Sequence, residues 1–82
     1  MKPISTSQAL SLLAETFDEP VERMVLATAR DSIAGWDSMG ALSLMAELDE
    51  RFNIELSAEA SRGMARVADV IELLRRHGAL AD

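Results

Sequence analysis

The chain has 82 residues, a hydrophobic fraction of 49%, no cysteine and a formal net charge of −6 at pH 7. This length fits a single domain, and the missing cysteines exclude disulfide bonds and thiolate metal sites. The negative charge disfavours nucleic-acid binding, and no apolar run is long enough for membrane insertion. The first residues lack the apolar segment of a secretory signal, so we expect a cytoplasmic protein, which we further predict to be a monomer.

The first predicted helix covers residues 7–17, where apolar residues recur at the i, i+3, i+4, i+7 spacing of one helical face. Ser5 and Gln8 have the spacing of a capping box at its start. Pro20 favours the end of the helix just before it, because the residue preceding a proline avoids the helical region. Residues 18–37 lack a sustained period, and we expect a long ordered connection there with one short helix.

The second long helix is predicted from Ser38 to about Phe52. One apolar stripe of this helix is expected to face the core, and a second apolar stripe lies on another side of it. A short helix is predicted over Ala58–Arg62, followed by a last helix that starts near Val67 and stops at Gly78. The expected fold is all-α, with three longer helices, one short helix and a long first connection. The core is predicted to contain Leu10, Leu13, Phe17, Ile33, Leu44, Met45, Leu48, Phe52, Leu56, Val70, Ile71 and Leu74.

The residue types that catalysis requires are scarce in this chain. The single histidine is His77, near the end of the last helix, where it suits the helix dipole and has no nucleophile beside it in the sequence. The acidic residues of the second long helix spread around its circumference, so they lack the convergence of a metal site. We therefore predict that the protein is not an enzyme and has no catalytic residue and no metal site.

The pair Asp37-Ser38 lies where irregular structure gives way to the second long helix. The first residue of a helix is a place where backbone N–H groups and the helix dipole favour a bound phosphate, so Ser38 is a candidate modification site. Serine and aspartate are also common at helix starts for capping alone. A second such pair, Asp31-Ser32, is followed by a glycine turn rather than by an amphipathic helix, so Ser38 is the preferred site.

The chain resembles the acyl carrier protein family, which includes peptidyl and aminoacyl carriers. The resemblance rests on Gly35–Met39, which contains the Asp-Ser-Met form of the family signature, and continues through Leu44–Leu56 and Val67–Leu74. It covers nearly the whole chain, although residues 18–32 match only in general character. The resemblance implies that residues 1–82 form a single acyl carrier domain with the four-helix bundle of that family.

The resemblance also implies a prosthetic group. Ser38 would receive a 4′-phosphopantetheine arm from coenzyme A, joined through a phosphodiester, and the terminal thiol of the arm would carry acyl groups as thioesters. Asp37 would help to present the serine to a phosphopantetheinyl transferase and its metal ion. The other implied partners are acyl-loading, elongating or acyltransferase enzymes of fatty acid, polyketide or related biosynthesis.

A partner-docking surface beside Ser38 is implied as well, because its apolar ridge matches positions that family members use to dock enzymes. An acidic rim on this ridge would favour partners with a basic patch. The surface is predicted to consist of Met39, Leu42, Ala46, Glu47, Asp49 and Glu50. Gly40 and Ser43 stand where fatty-acid carriers often have acidic residues, which implies partners other than those of general fatty-acid synthesis.

Two other functions fit the same sequence. An aminoacyl or peptidyl carrier would have the same arm on Ser38 and a different cargo. An unmodified acidic helical adaptor that binds a basic partner would need no arm at all.

Overall fold

Four α-helices form within residues 2–82, the part of the chain that the computed structural model describes. Two isolated β-bridges occur in these residues, and no longer strand forms in them. The prediction of an all-α fold is confirmed for this part of the chain. The helices are α1 (Thr6–Phe17), α2 (Ser38–Phe52), α3 (Ala58–Arg62) and α4 (Val67–Arg76), with 3₁₀ helices at Val21–Arg23 and Arg30–Ser32.

The ends of α1 follow from local side-chain and backbone chemistry. The Ser5 hydroxyl accepts a hydrogen bond from the backbone N–H of Gln8 at 3.0 Å, and the Gln8 side chain accepts from the Ser5 N–H at 2.9 Å. This confirms the predicted capping box. The helix ends because Asp18 takes a left-handed conformation with φ 55°, which turns the chain before Pro20 is reached.

The core lies between the four helices and the connection that joins α1 to α2. The predicted core residues are buried except Leu10 and Met45, which are half-buried and pack against the edge of the core. On α1, Ala9 and Leu13 face the interior directly, and this orientation leaves Leu10 at the edge of the buried face. Met45 lies at the edge of a groove beside α3. Buried residues that the prediction omitted include Ala9, Met24, Trp36, Ile54, Met64, Val67, Leu73 and Ala79.

The connection between α1 and α2 contains two 3₁₀ helices, where the sequence predicted one short helix. Its Met24 is only 1% exposed and anchors it to the core. The carbonyl groups of Leu26 and Thr28 accept hydrogen bonds from the backbone N–H groups of Ala68 and Val67, each at 3.0 Å. The connection therefore caps the start of α4 with its own backbone. None of the helices in residues 2–82 combines the length and the apolar composition needed to cross a membrane.

Candidate functional site

Ser38 is the first residue of α2, and its side chain is exposed. The Asp37 carboxylate caps the helix, since its Oδ1 accepts a hydrogen bond from the backbone N–H of Gly40 at 2.9 Å. The Asp37 carbonyl accepts from the N–H of Ala41 at 2.8 Å. No group in residues 2–82 accepts from the backbone N–H groups of Ser38 and Met39. The start of α2 thus offers an exposed hydroxyl beside two free donors, an arrangement that favours a negative charge.

The residue that precedes Asp37 is fixed in the core. Trp36 is 3% exposed, and its ring stacks on that of Phe17 with a centroid distance of 4.9 Å and an interplanar angle of 15°. The aromatic partner of Trp36 is thus the last residue of α1. This stacking holds the backbone just before Ser38 in a defined position.

Gly35 and Gly40 allow close backbone packing between the end of α1, the connection before α2 and the first turn of α2. A Cβ atom on Gly35 would overlap the carbonyl oxygen of Phe17, and a Cβ atom on Gly40 would overlap the carbonyl oxygen of Gly35. The glycine on α2 is therefore explained by close backbone packing.

Arg30 ties the connection to α3 and lies half-buried beside the same segment. Its guanidinium donates hydrogen bonds to the carbonyl oxygens of Ser61 at 2.9 Å and of Met64 and Trp36 at 3.4 Å. The guanidinium carbon also lies 5.2 Å from the centroid of the Trp36 ring. Arg30 is thereby held in one orientation by carbonyl oxygens and an aromatic ring.

A groove of about 250 Å³ opens between α2 and α3, and Ser38 forms part of its wall. Arg30 and Arg62 are among the residues that line it, and no carboxylate oxygen in residues 2–82 lies within 4.0 Å of either guanidinium. Sequence reasoning missed both arginines, because neither belongs to a motif and Arg30 reaches the end of α3 only through its hydrogen bonds to the carbonyl oxygens of Ser61 and Met64. The groove is lined by Arg30, Ser38, Ala41, Leu42, Met45, Ala58, Ser61 and Arg62.

Most of the predicted docking residues lie on the exposed side of α2. Met39 is 74% exposed and Leu42 is 60% exposed, which are large values for apolar side chains in a folded domain. Met39 and Leu42 follow Ser38 within about one turn of α2, so they form an apolar surface next to the Ser38 hydroxyl. Ala46, Asp49 and Glu50 are also exposed.

Glu47 differs from the other predicted docking residues. Its carboxylate accepts a 2.6 Å hydrogen bond from the Nε of Arg51, and this bond raises the pKa of the arginine. Arg51 lines a concavity with Gln8 and Glu15, both on α1. Glu47 is half-buried. Its ion pair with Arg51 places it on the side of α2 that faces α1, about 100° around the helix axis from Ala46.

The alternative serine, Ser32, is also exposed but has different surroundings. It is the last residue of the second 3₁₀ helix, and its backbone N–H already donates to the carbonyl oxygen of Ala29 at 3.0 Å. No α-helix begins at this position, so Ser32 lacks the free N–H groups that adjoin Ser38.

A comparison of the chain with models of known protein families found no match, and a comparison with curated protein sequences found none either. Membership of the acyl carrier protein family therefore stays a prediction from the sequence.

Proposed function

We propose that the protein is a carrier in which Ser38 holds a 4′-phosphopantetheine arm. The observation that carries this proposal is the exposed hydroxyl of Ser38 at the first position of α2, beside the free N–H groups of Ser38 and Met39. A helix start of this kind stabilises the negative charge of a phosphodiester.

The residues around Ser38 fit a phosphorylated arm. The groove beside the hydroxyl is lined by Arg30 and Arg62, and neither has a carboxylate within 4.0 Å in residues 2–82. Its other walls are mainly apolar, which suits the uncharged part of an arm. When bound, the group supplies a thiol that carries acyl cargo as a thioester, which a chain without cysteine cannot provide by itself.

Attachment requires a single displacement at phosphorus. The Ser38 hydroxyl oxygen attacks the phosphorus of coenzyme A that bears the pantetheine, and its proton passes to a base of the transferase. An oxygen–phosphorus bond to Ser38 forms as the bond within the pyrophosphate breaks, and adenosine 3′,5′-bisphosphate leaves. Asp37 keeps Oδ1 on the N–H of Gly40, and Oδ2 makes no hydrogen bond within residues 2–82, so it is free to meet the metal ion of the transferase.

Partner enzymes would dock on the exposed side of α2. Met39 and Leu42 supply apolar contact area, and Asp49 and Glu50 supply negative charge at its edge. A basic partner surface complements this arrangement and the net charge of −6. Because Glu47 is paired with Arg51 on the α1 side, we assign it a smaller part in docking than its neighbours.

The test is incubation of the purified chain with coenzyme A, Mg²⁺ and a permissive phosphopantetheinyl transferase, followed by intact-mass measurement. The carrier function predicts a gain of one phosphopantetheine mass. An unmodified adaptor predicts no gain. Charging of the modified protein by amino-acid-activating or by acyl-loading enzymes then separates an aminoacyl or peptidyl carrier from an acyl carrier.

A further inference from the structure

We propose that Arg62, together with Arg30, binds the phosphodiester on Ser38 and so fixes the direction in which the arm leaves the protein. This inference rests on the proposed attachment at Ser38. It adds two positioning residues that lie outside the Asp-Ser motif, one in the connection before α2 and one at the end of α3.

The groove beside Ser38 brings these groups together. Ser38 begins α2, Arg62 ends α3, and both line the same groove of about 250 Å³ with Arg30. A phosphate on the Ser38 oxygen would therefore adjoin a groove that two arginines help to line. The free N–H groups of Ser38 and Met39 approach the same position from the helix side.

The charges of the chain support this assignment. The chain has 14 acidic residues and only 8 lysines and arginines. Even so, no carboxylate in residues 2–82 forms an ion pair with Arg30 or Arg62. Asp31 lies with both arginines around a neighbouring concavity, yet its oxygens are farther than 4.0 Å from both guanidinium groups. Since Arg30 is half-buried and contacts only neutral oxygens, its charge is uncompensated, and an anion placed in the groove is stabilised by it.

The two arginines contribute differently. Arg30 is held by carbonyl oxygens, so it loses little side-chain entropy when a phosphate oxygen accepts from its remaining N–H groups. Arg62 is exposed, and no carboxylate in residues 2–82 lies within 4.0 Å of its guanidinium. A guanidinium presents two parallel N–H groups that match two phosphate oxygens, which an ammonium group does not.

The test compares the apo and phosphopantetheinylated forms of the native protein and of Arg62→Gln, Arg62→Lys and Arg76→Gln. Arg76 is exposed, has no ion pair in residues 2–82 and does not line the groove, so it is the matched control for loss of one positive charge. The readouts are the ³¹P resonance of the phosphodiester and the Nε–Hε resonances of the arginines.

In the native protein, the Hε resonances of Arg30 and Arg62 should shift on modification. The ³¹P resonance should move in Arg62→Gln, move less in Arg62→Lys, and stay unchanged in Arg76→Gln. About 1 M salt, where the screening length is about 3 Å, should move the native ³¹P resonance toward that of Arg62→Gln.

Two negative results are distinguishable. If the native chain gains no mass, the carrier function itself is wrong, and this inference falls with it. If all four proteins gain the arm but the ³¹P resonance of Arg62→Gln equals that of the native protein, and the native Hε resonances do not shift, only the role of the arginines is overturned.

Discussion

A Cβ atom on Gly40 would overlap the carbonyl oxygen of Gly35, so the first turn of α2 packs directly against the backbone that leads into it. Gly35 in turn admits no Cβ because of the carbonyl oxygen of Phe17. Ser38 therefore stands on a segment whose position is set by backbone contact on one side and by the stacked Trp36 on the other.

Gly40→Ala should lower the free energy of unfolding by about 1–3 kcal/mol, because an overlap with backbone cannot be relieved by a change of rotamer. Gly63→Ala is the matched control. Gly63 has helical dihedral angles, and the nearest atom to its added Cβ would be 3.5 Å away, so this change should stabilise the fold by about 0.4–1 kcal/mol. Urea unfolding of the two variants measures both effects, and equal stabilities would contradict the close approach of Gly40 to the carbonyl oxygen of Gly35.

Two leucines of α2 provide a second comparison of stability. Leu48 is 1% exposed and Leu42 is 60% exposed. Leu48→Ala should cost about 2–5 kcal/mol through lost burial and a residual cavity, whereas Leu42→Ala should stay within about 0.5 kcal/mol of the native protein. Chemical denaturation of both variants tests which face of α2 packs against the core. A large loss of stability in Leu42→Ala would contradict the exposed position of Leu42.

The same Leu42→Ala variant tests docking. If the exposed apolar surface meets the transferase, kcat/KM for arm attachment should fall about tenfold in Leu42→Ala, equivalent to about 1.4 kcal/mol. Val21→Ala is the control, because Val21 is 45% exposed, lies on the first 3₁₀ helix and lines no groove with Ser38. Equal losses of kcat/KM in the two variants would count against a docking role for α2.

The hydrogen bonds between Asp82 and Thr6 predict that the stability of the fold depends on pH. The Oδ1 of Asp82 accepts hydrogen bonds from the backbone N–H of Thr6 at 2.9 Å and from the Thr6 hydroxyl at 3.0 Å. These bonds, the backbone one above all, lower the pKa of Asp82. A lowered pKa in the folded state contributes stability above the ordinary aspartate pKa of about 3.9, and this contribution is lost as the pH falls through the lowered value.

Asp82→Asn should therefore be less stable than the native protein near neutral pH, with a difference that shrinks as the native carboxylate is protonated. Thermal unfolding across the acidic range measures this difference, and an NMR titration of Asp82 gives its pKa directly. Thr6→Val keeps the backbone donor and should reduce the pKa shift only in part. A difference in stability that stays constant with pH would contradict the assigned cause.

The helices were predictable because their signals are local. Capping by Ser5 and Gln8, the start of α2 at Ser38, and the bounds of α3 depend on residues within three or four positions of each other. The end of α2 is local as well, since Asn53 takes a left-handed conformation with φ 55° immediately after the helix.

The connection between α1 and α2 was predicted less well because its order comes from distant partners. Leu26 and Thr28 bond to the start of α4, and the N–H of Arg30 donates to the carbonyl oxygen of Ala65 at 2.8 Å. Hydrophobic periodicity carries no information about such bonds. The presence of Arg30 and Arg62 along one groove escaped prediction for the same reason, whereas the start of α2 at Ser38 was predicted correctly.

The most direct measurement is the intact mass of three proteins after exhaustive treatment with coenzyme A and a permissive phosphopantetheinyl transferase. The native chain and Ser32→Ala should each gain one phosphopantetheine, and Ser38→Ala should gain none. Ser32 is the matched control, since it is exposed and also follows an aspartate. An unchanged mass for the native chain, or a gain of the arm by Ser38→Ala, would contradict the proposal that Ser38 is the attachment site of a carrier protein.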